Sequence, residues 1–135
     1  MQLIHIRLLL VSRHIADLFD NDININHHEY HDHNERINST LDHLKILAND
    51  NKGFCYQVKY YDSYPSVCSV VINNKIVCVG WYRMFVDEPS VIRVRSHNVP
   101  AILAMGKRAE PLLSFANSHF DQIWKYAKND RDAKQ

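Results

Sequence analysis

Residues Tyr60 to Arg83 read Y-Y-D-S-Y-P-S-V-C-S-V-V-I-N-N-K-I-V-C-V-G-W-Y-R, two apolar runs on either side of a pair of asparagines. Asparagine tolerates the positive φ that a two-residue hairpin turn requires, and the β-branched residues flanking it favour extended backbone. The segment therefore predicts a β-hairpin, with strands over Val67–Ile72 and Lys75–Tyr82 and the turn at Asn73-Asn74.

The rest of the chain is organised around this hairpin. Residues 3–11 are leucine-rich and β-branched without strict alternation, the pattern of a strand covered on both faces by helices. Ser12 is placed to cap a short helix over Arg13–Phe19, and the Asn/Asp-rich stretch Asp20–Asn26 reads as a connection. From His27 to Ala48, Tyr30, Ile37, Leu41, Leu44 and Ala48 recur at helical steps, and the run ends in the turn residues Asn49–Gly53. Phe54–Tyr61 and Val91–Arg95 read as further strands, and all the strands are expected in one mixed sheet. Pro111 fits the first turn of a last helix, whose period is kept by Leu112, Leu113, Ala116, Phe120, Ile123, Trp124 and Ala127. The fold class is thus α/β, a mixed β-sheet flanked by helices. One domain is expected over residues 1–128, with a charged, frayed tail at 129–135.

Composition narrows the function classes. A chain of 135 residues with 46% hydrophobic content suits a single compact domain. Sixteen basic and fifteen acidic residues nearly cancel, so no overall bias toward nucleic acid or anionic membrane exists and any anion site must be local. The three cysteines, Cys55, Cys68 and Cys78, lie in strand-like stretches and read as reduced core thiols, which suits a cytoplasmic protein. The apolar run Ile6–Val11 is too short to span a membrane.

The hairpin, with its neighbours, resembles the phospholipase D superfamily, where a comparable strand pair carries His-x-Lys-(x)4-Asp and a Gly-Ser-x-Asn-like segment. Setting Asn73 at the acid puts Cys68 at the lysine and Ser66 at the histidine, while Gly80 keeps the glycine and Trp81 replaces the serine. The apolar first strand, the long helix, Val58–Asp62 leading to a proline, and the closing Phe115, Phe120 and Trp124 pattern extend the similarity. The chain looks like one phospholipase D-like half of the kind that follows helix-turn-helix modules in bacteria, with the catalytic motif lost. Phosphoryl transfer needs a nucleophile and positioned cations, which Ser66, Cys68 and Asn73 do not supply. His97 and Lys107 lie ten residues apart and cannot mimic an i, i+2 pair on one strand face.

What the resemblance implies is a homodimeric pseudoenzyme that senses a ligand at a degenerate cleft, with no cofactor, and regulates a separately encoded effector or DNA-binding partner. The segment matching that cleft carries Tyr61, Tyr64, Trp81, Tyr82 and Arg83, to which Arg93, Arg95, His97 and Lys107 add donors. Arginine forks suit phosphates and aromatic faces stack bases, so a nucleotide or phosphorylated ligand fits; the plain alternative is that these residues line a sheet edge or a dimer interface. Two enzyme readings stay open: a phosphodiesterase or nuclease with rearranged residues, and a metal-dependent hydrolase using the segment His27–His33. On a helix His27 and His31 face one way, as do Glu29 and His33, but no third ligand is identifiable and solvated histidines are the simpler reading. A structural protein-interaction module is the third class.

Overall fold

The structure, a computed structural model, describes residues 3–20, 33–63, 67–81, 83–88, 91–95 and 101–132, with backbone only for residues 19–20 and for the strands between 83 and 95. The seven strands and three helices among these described residues make an α/β fold. The strands are β1 (Ile4–Val11), β2 (Phe54–Tyr61), β3 (Val67–Ile72), β4 (Ile76–Trp81), β5 (Arg83–Glu88), β6 (Val91–Arg95) and β7 (Ala101–Met105). The helices are α1 (Arg13–Asp20), α2 (His33–Asp50) and α3 (Glu110–Tyr126), and a single helical turn, Gly106–Ala109, leads into α3. The strands pair in three ladders rather than in one continuous sheet: β1 with β2, β3–β4–β7, and β5 with β6. The chain forms two compact units, one of residues 1–63 and 126–135, the other of residues 64–125.

The first unit is built on a parallel pair. β1 and β2 run in register from Ile4↔Phe54 to Val11↔Tyr61, joined through α1 and α2, as parallel strands require a long crossover. Ser12 starts α1 as expected: its Oγ accepts from the Ile15 amide at 3.3 Å and donates to Asp62 Oδ1 at 2.6 Å. Ile15 and Ala16 of α1 and Ile37 and Leu44 of α2 are buried, the last two seven residues apart on the face that the sequence marks as apolar. Residues 27–32, and Tyr30 with them, lie outside the described residues. β1 is less covered than its composition suggests: Leu3 and Ile4 are exposed, and no residue of the strand is fully buried.

Arg131 and Asp132, in the tail expected to fray, are fastened to the first unit, and residues 133–135 lie outside the described residues. Tyr60 and Lys128 exchange two backbone hydrogen bonds of 2.8 Å, and the Arg13 amide donates to the Arg131 carbonyl at 3.1 Å. Ala127 and Arg131 are buried. The charged composition conceals this, because a single backbone-paired residue leaves no periodic signal.

The second unit centres on β4, which pairs antiparallel with β3 on one side and β7 on the other. Val77 and Val79 alternate inward and are fully buried against Ala109, Leu113 and Ala116, with Val67, Val71, Ala104 and Leu112 around them. α3 thus meets this sheet through Leu113 and Ala116. The aromatics of α3 are peripheral to this core: Phe115 is exposed, and Phe120 and Trp124 stack on each other at 5.4 Å, half-buried.

Asn73 and Asn74 adopt φ of 52° and 55°, and the Lys75 amide donates to the Ile72 carbonyl at 3.0 Å. The ladder begins at Ile72↔Ile76, so Lys75 is one extra residue in the expected two-residue turn. Asn117 Nδ2 of α3 donates to Asn74 Oδ1 at 3.0 Å and so ties the turn to the helix. Replacing Asn74 by Val should destabilise the protein by about 1–2 kcal/mol, because a β-branched residue is strained at positive φ, whereas Gly should cost only the side-chain hydrogen bond. Chemical denaturation of the two variants checks this order.

Candidate ligand site

Three of the arginines singled out in the sequence converge by strand register. In the β5–β6 ladder Arg83 lies opposite Arg95, and Phe85 lies opposite Arg93. Residues two apart share a face of a strand, so Arg83, Phe85, Arg93 and Arg95 occupy one face of the ladder. Met84, Val86, Ile92 and Val94 occupy the other. The register shifts between Val86 and Glu88, a bulge that confines this regular two-faced stretch to the end of the ladder where Arg83 meets Arg95. Like charges directly opposite one another destabilise an antiparallel pair. The register thus places like charge on this face at three positions, two of them directly opposite.

The other sequence-selected residues distribute differently. Trp81 ends β4 opposite Val67 and is exposed, and Lys107 is exposed in the helical turn after β7. Tyr61 ends β2 and belongs to the first unit. Tyr64, Ser66, Tyr82 and His97 lie outside the described residues, as do His27 and His31. His33 is the first residue of α2, and among the described residues no three His, Cys, Asp or Glu side chains gather to hold a metal ion. Phe85 was missed from sequence, although the alternation in Arg83-Met84-Phe85-Val86 places it on the arginine face once β5 is recognised as a strand.

The motif positions hold no charged chemistry. Cys68 lies on β3 opposite Gly80, and Asn73 sits in the turn. The expectation of buried thiols is corrected: Cys68 and Cys55 are exposed and Cys78 is half-buried, all unpaired. Cys68 and Cys78 alternate onto the face of the β3–β4–β7 sheet opposite Val77 and Val79, which no helix among the described residues covers.

A second polar cluster lies in the first unit. Arg131, only 8% exposed, donates from Nη1 to Asn38 Oδ1 at 3.0 Å and from Nη2 to Asn34 Oδ1, while its buried Nε has no partner. Asn34 in turn donates to Asp17 Oδ1 at 2.8 Å, and Arg13 pairs with Asp132 at 2.5 Å. Burial, then the neighbouring Arg13, lowers the guanidinium's proton affinity, against the opposing influence of Tyr60, Asp132 and Asp17. Burial raises the Tyr60 hydroxyl above its ordinary value, with Arg131 pulling the other way. These groups join the tail to α1, α2 and β2, and their arrangement is that of a fastening: the guanidinium is enclosed by side-chain amides.

Comparison with protein-family models, with curated proteins and with solved structures gives no match to this chain.

The Tyr60 shift fixes the sign of an alkaline effect. With its folded value raised, the unfolded chain loses the proton first, so stability is fully present below about pH 10 and falls as pH rises through the higher folded value. Tyr60→Phe should remove that part of the decline, so the difference in denaturation midpoint between wild type and variant should change above about pH 10 and be flat below it.

Proposed function

We propose that the protein is a non-catalytic regulatory module that binds a phosphorylated ligand, such as a nucleotide, on the arginine face of the β5–β6 ladder. The observation carrying this reading is the register that sets Arg83 against Arg95 with Arg93 and Phe85 on the same face. An anion bound by two arginines placed opposite one another in register would replace a like-charge pair by two charge-assisted contacts, and arginine is suited to the forked oxygens of a phosphate. Phe85 adds an aromatic surface of the kind on which a base can stack. Neutral Cys68 and Asn73, at the positions where phospholipase D-like enzymes carry their lysine and acid, support binding without turnover. Regulation of a separately encoded effector belongs to the same reading and rests on the family resemblance, and a cytoplasmic setting rests on the three unpaired cysteines.

A mononucleotide present at about 100 times its Kd should stabilise the wild type by about 2.7 kcal/mol in a thermal unfolding assay. Arg83→Glu should abolish that stabilisation. The same substitution should leave the free protein equally stable or more stable, by about 0.2–1 kcal/mol, because it turns a like-charge cross-strand pair into an opposite one. Absence of stabilisation by mono-, di- and cyclic nucleotides and by inorganic phosphate, each at millimolar concentration, would contradict phosphate recognition and favour a protein-interaction module. Metal-independent hydrolysis of bis(p-nitrophenyl) phosphate would contradict the non-catalytic reading.

A further inference from the structure

The open face of the β3–β4–β7 sheet has a composition that a water-facing surface does not explain. Register places three residues of each strand on it: Ile72, Ile76 and Met105 in one row, Val70, Cys78 and Leu103 in the next, Cys68, Gly80 and Ala101 in the last. None of the nine is charged, and none has a hydroxyl or amide side chain. An antiparallel sheet with one face in water normally alternates apolar inward with polar outward. Here the inner face sets Val67, Val71, Val77, Val79 and Ala104 against α3, with Ser69 and the half-exposed Ile102 in the same alternation, and the outer face is apolar throughout. Val70, Ile72, Leu103 and Met105 are 53%, 49%, 66% and 61% exposed.

The face is also graded in size along the strands. The first row is bulky and the last row is small in every column: Ile72 against Cys68 on β3, Ile76 against Gly80 on β4, Met105 against Ala101 on β7. A two-fold axis lying in the interface, perpendicular to the strands and crossing the middle row, brings each bulky residue of one copy over the small residue of the same strand in the other. Ile76 meets Gly80, Met105 meets Ala101, and Ile72 meets Cys68. A two-fold axis parallel to the strands instead sets bulky on bulky and small on small, leaving overlap at one end and a gap at the other. The exposed cations Lys75, Lys107 and Arg108 all stand at the bulky end, where the Gly106 amide donates to the Lys75 carbonyl at 3.3 Å. The perpendicular axis sends these groups to opposite ends of the pair, and the parallel axis would crowd them together.

We propose that this face binds a second copy of the same chain, sheet on sheet, about that perpendicular two-fold axis. The contact is isologous, so the middle row meets itself and Cys78 lies at the axis. Strands about 4.8 Å apart and same-face residues about 6.7 Å apart give a footprint of roughly 14 by 20 Å, on the order of 300 Å² in projection. That is well below the roughly 800 Å² per partner of a standard stable interface. The dimer is therefore concentration-dependent, dissociating in the micromolar range or above rather than being permanent.

Sedimentation equilibrium of the full chain, from about 1 μM to several hundred μM, should show a monomer–dimer equilibrium for the wild type. Leu103→Lys, which places an ammonium opposite its own copy, should stay monomeric throughout with an unchanged circular dichroism spectrum. To separate loss of the contact from a folding defect, a second measurement uses a chain with Cys55→Ser and Cys68→Ala, leaving Cys78 alone. A short bismaleimide linker, matched to the spacing of packed sheets, should then give a covalent dimer whose yield rises with protein concentration. A wild type that is monomeric at every concentration overturns the proposal and leaves the face to a partner of different sequence. So does a dimer that Leu103→Lys leaves intact, or the absence of any Cys78 cross-link in a chain that does dimerise.

Discussion

The contact of Val77 and Val79 with Ala109, Leu113 and Ala116 is the constraint from which the second unit is built. Both valines are fully buried, and the alanines at 109 and 116 let the helix come close to the strand. Burying a valine side chain is worth about 1.5 kcal/mol or more, and these two lie on β4, which is paired on both edges. Fixing β4 in this way fixes the inward set of β3 and β7 through their registers, because a slip of one residue would turn every side chain to the other face. The same alternation delivers Cys68, Cys78, Leu103 and Met105 to the uncovered side. β5, with the arginine face, begins two residues after the end of β4.

Much of this arrangement was legible in the sequence where local chemistry and tertiary environment agree. Strands over Phe54–Tyr61, Val67–Ile72 and Val91–Arg95 have the bounds that composition suggests, the asparagine turn has the positive φ its residues favour, and Ser12 caps the helix that follows it. The disagreements have physical causes. Ala101–Met105 is made of alanine, leucine and methionine around one isoleucine, residues with helical preference, and it is extended because β4 offers it a pairing edge. Arg83–Glu88 begins and ends in charge, which conceals a strand whose signal is the alternation within it. The cysteines were read as core because their neighbours are apolar; for Cys68 and Cys78 the inference failed because the sheet also has an apolar outer face that no described helix covers.

The candidate site was legible residue by residue but not as a group. Arg83, Arg93 and Arg95 were separately attractive as phosphate ligands, and only the register makes them a set with Phe85. Arg131 shows the converse. A tail of charged residues carries no apolar period, so nothing in the sequence marks one arginine as enclosed between two asparagines of a distant helix. The two clusters also differ in what they call for. Arg131 is held by amide oxygens and has Asp17 and Asp132 among its neighbours, whereas the β5–β6 register sets one arginine position opposite another, and the proposed anionic ligand would offset that like charge.

The most direct test of ligand recognition on the arginine face is a heteronuclear NMR titration of the isotope-labelled chain with a mononucleotide. The account predicts amide shifts that saturate and concentrate between Arg83 and Arg95, with the ligand recovered unhydrolysed. Shifts centred instead on Ser12, Asn34 and Arg131, or no saturable shifts at millimolar nucleotide, would contradict it.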